Sequence, residues 1–138
     1  MRWYATAQLL SQTTFAFRLF GEKIFGIYPF YEASYLGGTE SVRGFDTQRF
    51  SGDVSVSLHA ESRFYLGKLK LLLPFYVGGM LFGETGRVFV KGEQSELWHP
   101  GFGAGLWSYV INKDITFSVS LAKSREEIEG HLTAGFTY

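Results

Sequence analysis

The sequence predicts an all-β chain folded as an eight-stranded antiparallel transmembrane β-barrel, and three observations carry that expectation. Segments of about nine to eleven residues alternate in polarity with a period of two, the pattern of strands with one face in lipid and one in a polar interior. Aromatic residues make up 18% of the chain, with fourteen Phe, eight Tyr and three Trp, which suits the aromatic girdles of a barrel better than a soluble domain. Short turns alternate with long loops, as periplasmic turns alternate with extracellular loops. An even strand number then puts both termini in the periplasm.

The first expected strand is Arg2–Leu10, with Trp3, Ala5, Ala7 and Leu9 opposite Tyr4, Thr6 and Gln8. The second is Thr13–Phe20, with Phe15, Phe17 and Leu19 outside and Thr14, Ala16 and Arg18 inside. The third, roughly Pro29–Leu36, sets Tyr31, Ala33 and Tyr35 against Glu32 and Ser34. In the fourth, after Gly52, the positions Asp53, Ser55, Ser57, His59, Glu61 and Arg63 alternate with Val54, Val56, Leu58, Ala60, Ser62 and Phe64. A strand gathers all of that charge on one face, whereas a helix would spread it around the cylinder. The fifth, near Leu71–Gly83, is almost wholly apolar. The sixth, Gly101–Ile111, puts Gly103, Gly105, Trp107 and Tyr109 together. The seventh is Ile115–Ala122 and the eighth His131–Tyr138, both alternating. Turns are expected at Gly21-Glu22-Lys23, Gly67-Lys68 and Asn112-Lys113-Asp114, and longer loops near 37–52, 84–100 and 123–130.

The 138 residues make one domain. Thirteen basic and thirteen acidic residues cancel, and the basic ones are scattered, so no nucleic-acid stripe is expected. With no cysteine there is no disulfide, thiolate metal site or thiol nucleophile. The longest apolar run is broken by Pro74 and Gly78-Gly79, short of the about 20 residues of a spanning helix. The start, Met1-Arg2-Trp3-Tyr4, lacks the apolar core of the signal peptide an exported chain needs, so the sequence reads as a mature form or a fragment. A soluble lipocalin-like carrier would place the apolar faces inside. The absence of charge on the apolar faces and the aromatic C-terminal pattern favour lipid outside instead.

Chemistry in the interior is expected to be structural. Arg18, Glu32, Asp53, His59, Glu61 and Arg63 all face inward in this reading, and side chains just fill the lumen of so small a barrel, so mutual salt bridges follow. His59 and Glu61 could suggest a catalytic pair, but two residues apart on one strand face is what any polar lumen provides. His99 and His131 lack metal-ligand spacing with another histidine, and no Gly-x-Ser-x-Gly elbow exists. Gly101, Gly103 and Gly105 lack the strand-to-helix context of a dinucleotide loop and are expected to make room for large inward rings. No enzyme activity, cofactor or metal is expected.

The segment Gly37-Gly38-Thr39-Glu40-Ser41-Val42-Arg43-Gly44-Phe45 stands apart. The roughly sixteen residues from Gly37 to Gly52 exceed any plain hairpin turn, and unstructured loops of that length are usually functional or disordered. Val42-Arg43-Gly44-Phe45 resembles the Val-Arg-Gly-Phe/Tyr loop of the BamA-type outer-membrane assembly and two-partner-secretion transporter superfamily, the bacterial surface antigen family. The run from Pro29 to Gly38 looks like the strand entering that loop, and Gly52-Asp53 with Glu61-Ser62-Arg63 looks like the next strand. Phe82-Gly83-Glu84-Thr85-Gly86 resembles the family's Phe-x-Asp-x-Gly segment with Glu for Asp. Phe136 and Tyr138, in Gly135-Phe136-Thr137-Tyr138, resemble the C-terminal signal read by the outer-membrane assembly machinery.

The resemblance covers nearly the whole chain and is to the C-terminal half of a sixteen-stranded barrel. It implies an outer-membrane location, lipid contact, and biogenesis through the assembly machinery. It also implies that Arg43 pairs with Glu84, with Glu61 and Arg63 as alternative partners. The family's POTRA domains and the N-terminal half of its barrel have no counterpart here, so its insertion and translocation activity does not carry over. A closed, non-conducting monomer is the expected state, with a dimer forming a sixteen-stranded pore as the alternative. Arg43 could be a loop latch or simply a structural ion pair. In so narrow a lumen, residues 37–52 are expected at the extracellular mouth, with only Arg43 reaching in.

Overall fold

The computed structural model describes residues 2–10, 13–26, 29, 33–38, 41–70, 74–90, 97–110 and 116–134. Among them are nine strands and no helix: β1 (Arg2–Leu10), β2 (Thr13–Lys23), β3 (Ser34–Leu36), β4 (Phe50–Gly52), β5 (Val54–Lys70), β6 (Pro74–Phe89), β7 (His99–Val110), β8 (Thr116–Lys123) and β9 (Ile128–Ala134). Seven form one antiparallel sheet in the order β1-β2-β5-β6-β7-β8-β9, and β3 pairs with β4 in a separate two-stranded sheet.

The all-β, antiparallel expectation holds, and among the described residues the main sheet has seven strands where eight were expected. Of the expected third strand, residues 30–32 lie outside the described residues, and Ser34–Leu36 is extended and pairs with Phe50–Gly52 over β5 and β6. β2 pairs directly with β5, from Thr13↔Phe64 to Lys23↔Val54. The reason is local. Gly37 and Gly38 take φ of 122° and 85°, conformations that end an extended segment and that only glycine adopts freely. Leu36 is then 1% exposed, packed onto the sheet.

Seven strands also change the ends. β1 starts at the long-loop end, with Arg2 opposite Phe20, and β9 runs toward the short-turn end, with Ala134 opposite Phe117. Among the described residues the two edge strands of the sheet therefore run in the same direction. Among the described residues each has one neighbour. Two expected turns are strand instead. β2 continues through Gly21-Glu22-Lys23, and β5 passes Gly67-Lys68 with a bulge between Tyr65 and Gly67. β6 extends to Phe89, so Glu84 lies within the strand rather than at its end. The expected turn at 112–114, Glu32, Phe136 and Tyr138 lie outside the described residues.

The two faces of the sheet are chemically inverted relative to a soluble protein. β8 shows it most cleanly: Phe117, Val119 and Leu121 are 50%, 57% and 62% exposed, while Thr116, Ser118 and Ser120 are at most 5% exposed. Phe17, Leu19, Leu58, Leu81, Phe102, Leu106 and Leu132 are exposed in the same way on neighbouring strands. The opposite face buries Arg18, Ser55, Ser57, His59, Glu61, Arg63 and Glu84. The apolar core is not between layers of sheet but under the loop. Leu36, Val42 and Phe45 pack together with Phe50 and Val88 on this inner face.

Candidate functional site: an inward loop held by buried charge

Strand register lines the inner face in rows. Arg18 of β2, His59 of β5, Glu84 of β6 and Gly101 of β7 are direct cross-strand partners in one row. Ala16, Glu61, Phe82 and Gly103 form the next. The loop lies across both rows. Its carbonyl at Arg43 sits where a side chain on Gly101 would be, since a Cβ there would come within 2.6 Å of that oxygen. Gly44 takes φ of 90° and packs against the backbone of Lys123 and Ser124, so it is both a conformational and a steric requirement. The loop also closes on itself. Gly38 N–H donates to the Phe45 carbonyl at 2.8 Å, and Gly37 N–H donates to Ser41 Oγ at 2.6 Å.

Arg43 is the centre of the site. Its backbone N–H donates to Glu84 Oε2 at 2.6 Å, and its Nε–H donates to Glu84 Oε1 at 2.6 Å. A further guanidinium nitrogen contacts both Glu84 Oε1 and Glu61 Oε2, the latter at 3.2 Å. The guanidinium lies over the Phe82 ring, 3.5 Å from its centroid. The side chains of Arg43 and Glu84 are 5% and 1% exposed. A charge buried so deeply is tolerated only when paired and hydrogen-bonded, and both conditions are met here. Phe45 then packs edge-on against Phe50 and His99, and Phe50 stacks on His99 at 3.6 Å.

The inward expectations divide. Arg43 and Glu84 meet as the resemblance implied. Glu61 is a second partner of Arg43 rather than an alternative one, and Arg63 pairs with Glu61 at 2.5 Å instead of with the loop. Arg18 and His59 belong to the same cluster, with Arg18 3.0 Å from His59 Nε2. Asp53 stands at the loop end of β5, where its backbone bonds Ile24 and Phe89. The expectation of a loop perched at the mouth is overturned. Val42, Arg43 and Phe45 are all 4% exposed or less, because Gly101 leaves room for the loop backbone and Gly86 for the Leu36 and Val42 side chains. Gly103 makes room for the Phe82 ring, as expected of an inward glycine.

Sequence reasoning missed the outer clasp of the loop. Arg49 bonds both oxygens of Glu126 at 2.9 and 3.3 Å, tying the loop to the β8–β9 connection at the surface. The same carboxylate holds Arg49 above its ordinary pKa. Asp46, Glu127 and Glu129 bring carboxylate oxygens within 4.8 Å of one another nearby, a grouping common among exposed acids. Repulsion by Asp46 raises the Glu127 pKa above its ordinary 4.5. No pattern in the sequence joins Arg49 to Glu126, because the two are far apart along the chain.

Comparison with protein-family models, curated proteins and solved structures finds no match to this chain.

Proposed function

We propose that this chain is the wall of an outer-membrane transmembrane β-barrel that carries an inward-latched loop, in the manner of the C-terminal half of a BamA-type barrel. The observation that carries the reading is the inversion of the faces. Phe117, Val119 and Leu121 point out of β8 beside the exposed apolar residues of its neighbours, and serines and charges are buried. Large apolar side chains exposed across neighbouring strands are the kind of contiguous patch soluble monomers rarely carry, and lipid removes their cost. The latch supports the family kinship, since Arg43 meets the acid of the Phe82-Gly83-Glu84-Thr85-Gly86 segment.

The role we assign is an anchored, non-conducting wall whose lumen side is occupied by its own loop, with no catalytic chemistry. Its partners are membrane lipid and, during biogenesis, the outer-membrane assembly machinery. Strand direction limits how such a wall closes. β1 and β9 run the same way, so antiparallel closure takes an odd number of further strands. A single one would make an eight-stranded barrel. Two seven-stranded copies joined around one axis would meet at parallel seams, which disfavours the dimeric pore.

The test is folding in the presence and absence of amphiphile. Folded protein should form only in detergent or lipid, migrate heat-modifiably on a denaturing gel, and give no large stable steps in planar bilayers. A monodisperse folded sample in plain buffer would overturn the membrane assignment.

A further inference from the structure

His59 is buried, carries no role in the loop motif, and touches both sides of the site. Its Nδ1 is 3.2 Å from Glu84 Oε1, the oxygen that also receives the Arg43 Nε–H. One Arg18 guanidinium nitrogen is 3.0 Å from Nε2 and 3.4 Å from Nδ1, and Ser57 Oγ is 3.2 Å from Nε2. A carboxylate can only accept, so the ring nitrogen that faces Glu84 must carry a proton, which leaves Nε2 to accept from the nearer Arg18 contact. The proton of a neutral imidazole then sits on Nδ1, aimed at Glu84. The strand register makes this arrangement rigid, because Arg18, His59 and Glu84 are successive cross-strand partners on three adjacent strands.

We propose that His59 is the positioning residue of the loop latch. As the Nδ1–H tautomer, with Nε2 accepting from Arg18, it fixes the Glu84 carboxylate through Oε1, the oxygen that the loop also contacts. Oε1 and Oε2 then face the Arg43 Nε–H and backbone N–H together. The inference rests on the latched-wall reading above and adds a residue to it. Glu84 meets the loop through two oxygens at once, and a carboxylate free to rotate would lose that pairing. Bidentate recognition depends on a fixed plane. His59 supplies the fixing contact from β5, and Arg18 holds the ring from its other side through Nε2.

The experiment uses the absence of native cysteine. Val42 is fully buried beneath the loop, so maleimide labelling of a Val42→Cys protein in detergent reports how often the loop lifts. His59→Ala should speed labelling about tenfold or more, the effect of losing one hydrogen bond to a charged group. His59→Gln can accept from Arg18 and donate to Glu84, and should stay within about threefold of the parent protein. In a Glu84→Gln background the His59→Ala change should add nothing further. An equal acceleration in both backgrounds would show that His59 merely packs, and would overturn the proposal. So would no acceleration at all in a variant that keeps its heat-modifiable band. Where His59→Ala does not fold, nitrogen NMR of the unmodified ring decides: a proton on Nδ1 is expected, and one on Nε2 rejects the assignment. Labelling of the parent Val42→Cys protein as fast as that of the unfolded chain would remove the latched loop itself, a distinct failure from either of these.

Discussion

Two arginines of one loop each meet a glutamate, and burial makes them different interactions. Arg43 and Glu84 have side chains 5% and 1% exposed, with Phe82 beneath the guanidinium and Glu61 beside it. Arg49 and Glu126 are 49% and 40% exposed and meet at 2.9 Å. The exposed pair loses most of its Coulomb energy to water and salt. The buried pair has surrendered its hydration, so each charge depends on the other. Between them lie Gly44, which lets the chain approach β8, and Phe45, which is buried edge-on against Phe50 and His99. A short stretch of loop thus spans the whole range of ion-pair behaviour.

Separate removal of the partners sharpens that contrast. Arg43→Ala or Glu84→Ala should each destabilise the folded protein by roughly 3–5 kcal/mol, because the remaining charge is stranded. Urea unfolding of both single variants and the double variant in detergent gives the coupling. A coupling of several kcal/mol is expected, and near-additivity would mean that the inner pair behaves like the outer one.

The same cycle on Arg49→Ala and Glu126→Ala should show little coupling, and what there is should vanish as salt is raised. A coupling that persists in high salt would erase the distinction between the two pairs.

The smallest expected effect is a change in titration. Asp46 raises the Glu127 carboxyl above its ordinary 4.5, so the two charges disfavour the docked arrangement at neutral pH. The penalty is present above the raised pKa and is relieved as pH falls through it. Asp46→Asn should lower the Glu127 midpoint toward 4.5 when followed by carbon NMR. An unmoved midpoint would show that Asp46 and Glu127 do not face each other in solution.

Strand period and loop motif were legible because both are local. The alternation of Phe117, Val119 and Leu121 with Thr116, Ser118 and Ser120 is a property of one strand, and it sorts the faces without knowledge of any neighbour. Arg43 stood out because its setting of glycine and aromatic residues resembles a known loop, and the resemblance led to Glu84. The described end of the third expected strand, Ser34–Leu36, pairs with β4 instead of with the main sheet, because Gly37 and Gly38 redirect the chain onto the sheet. Alternation identifies extended backbone but not which strand it pairs with. The turns at Gly21 and Gly67 failed for a related reason, since long-range pairing with Val56 and Val77 keeps those glycines extended.

By itself, the sequence determined the β character of the chain, the segregation of apolar from polar faces, and the residues able to hold an inward loop. The tertiary structure decided that, among the described residues, seven strands form one sheet, that β3 and β4 pair apart from it, and that the loop descends onto its inner face. It also decided that Arg18, His59 and Glu84 share a row, which follows from register. The physical reason is range. Side-chain alternation follows from the geometry of a single extended chain, whereas register, burial and the identity of an ion-pair partner are set by contacts between distant segments. Their energies depend on how much water those contacts exclude.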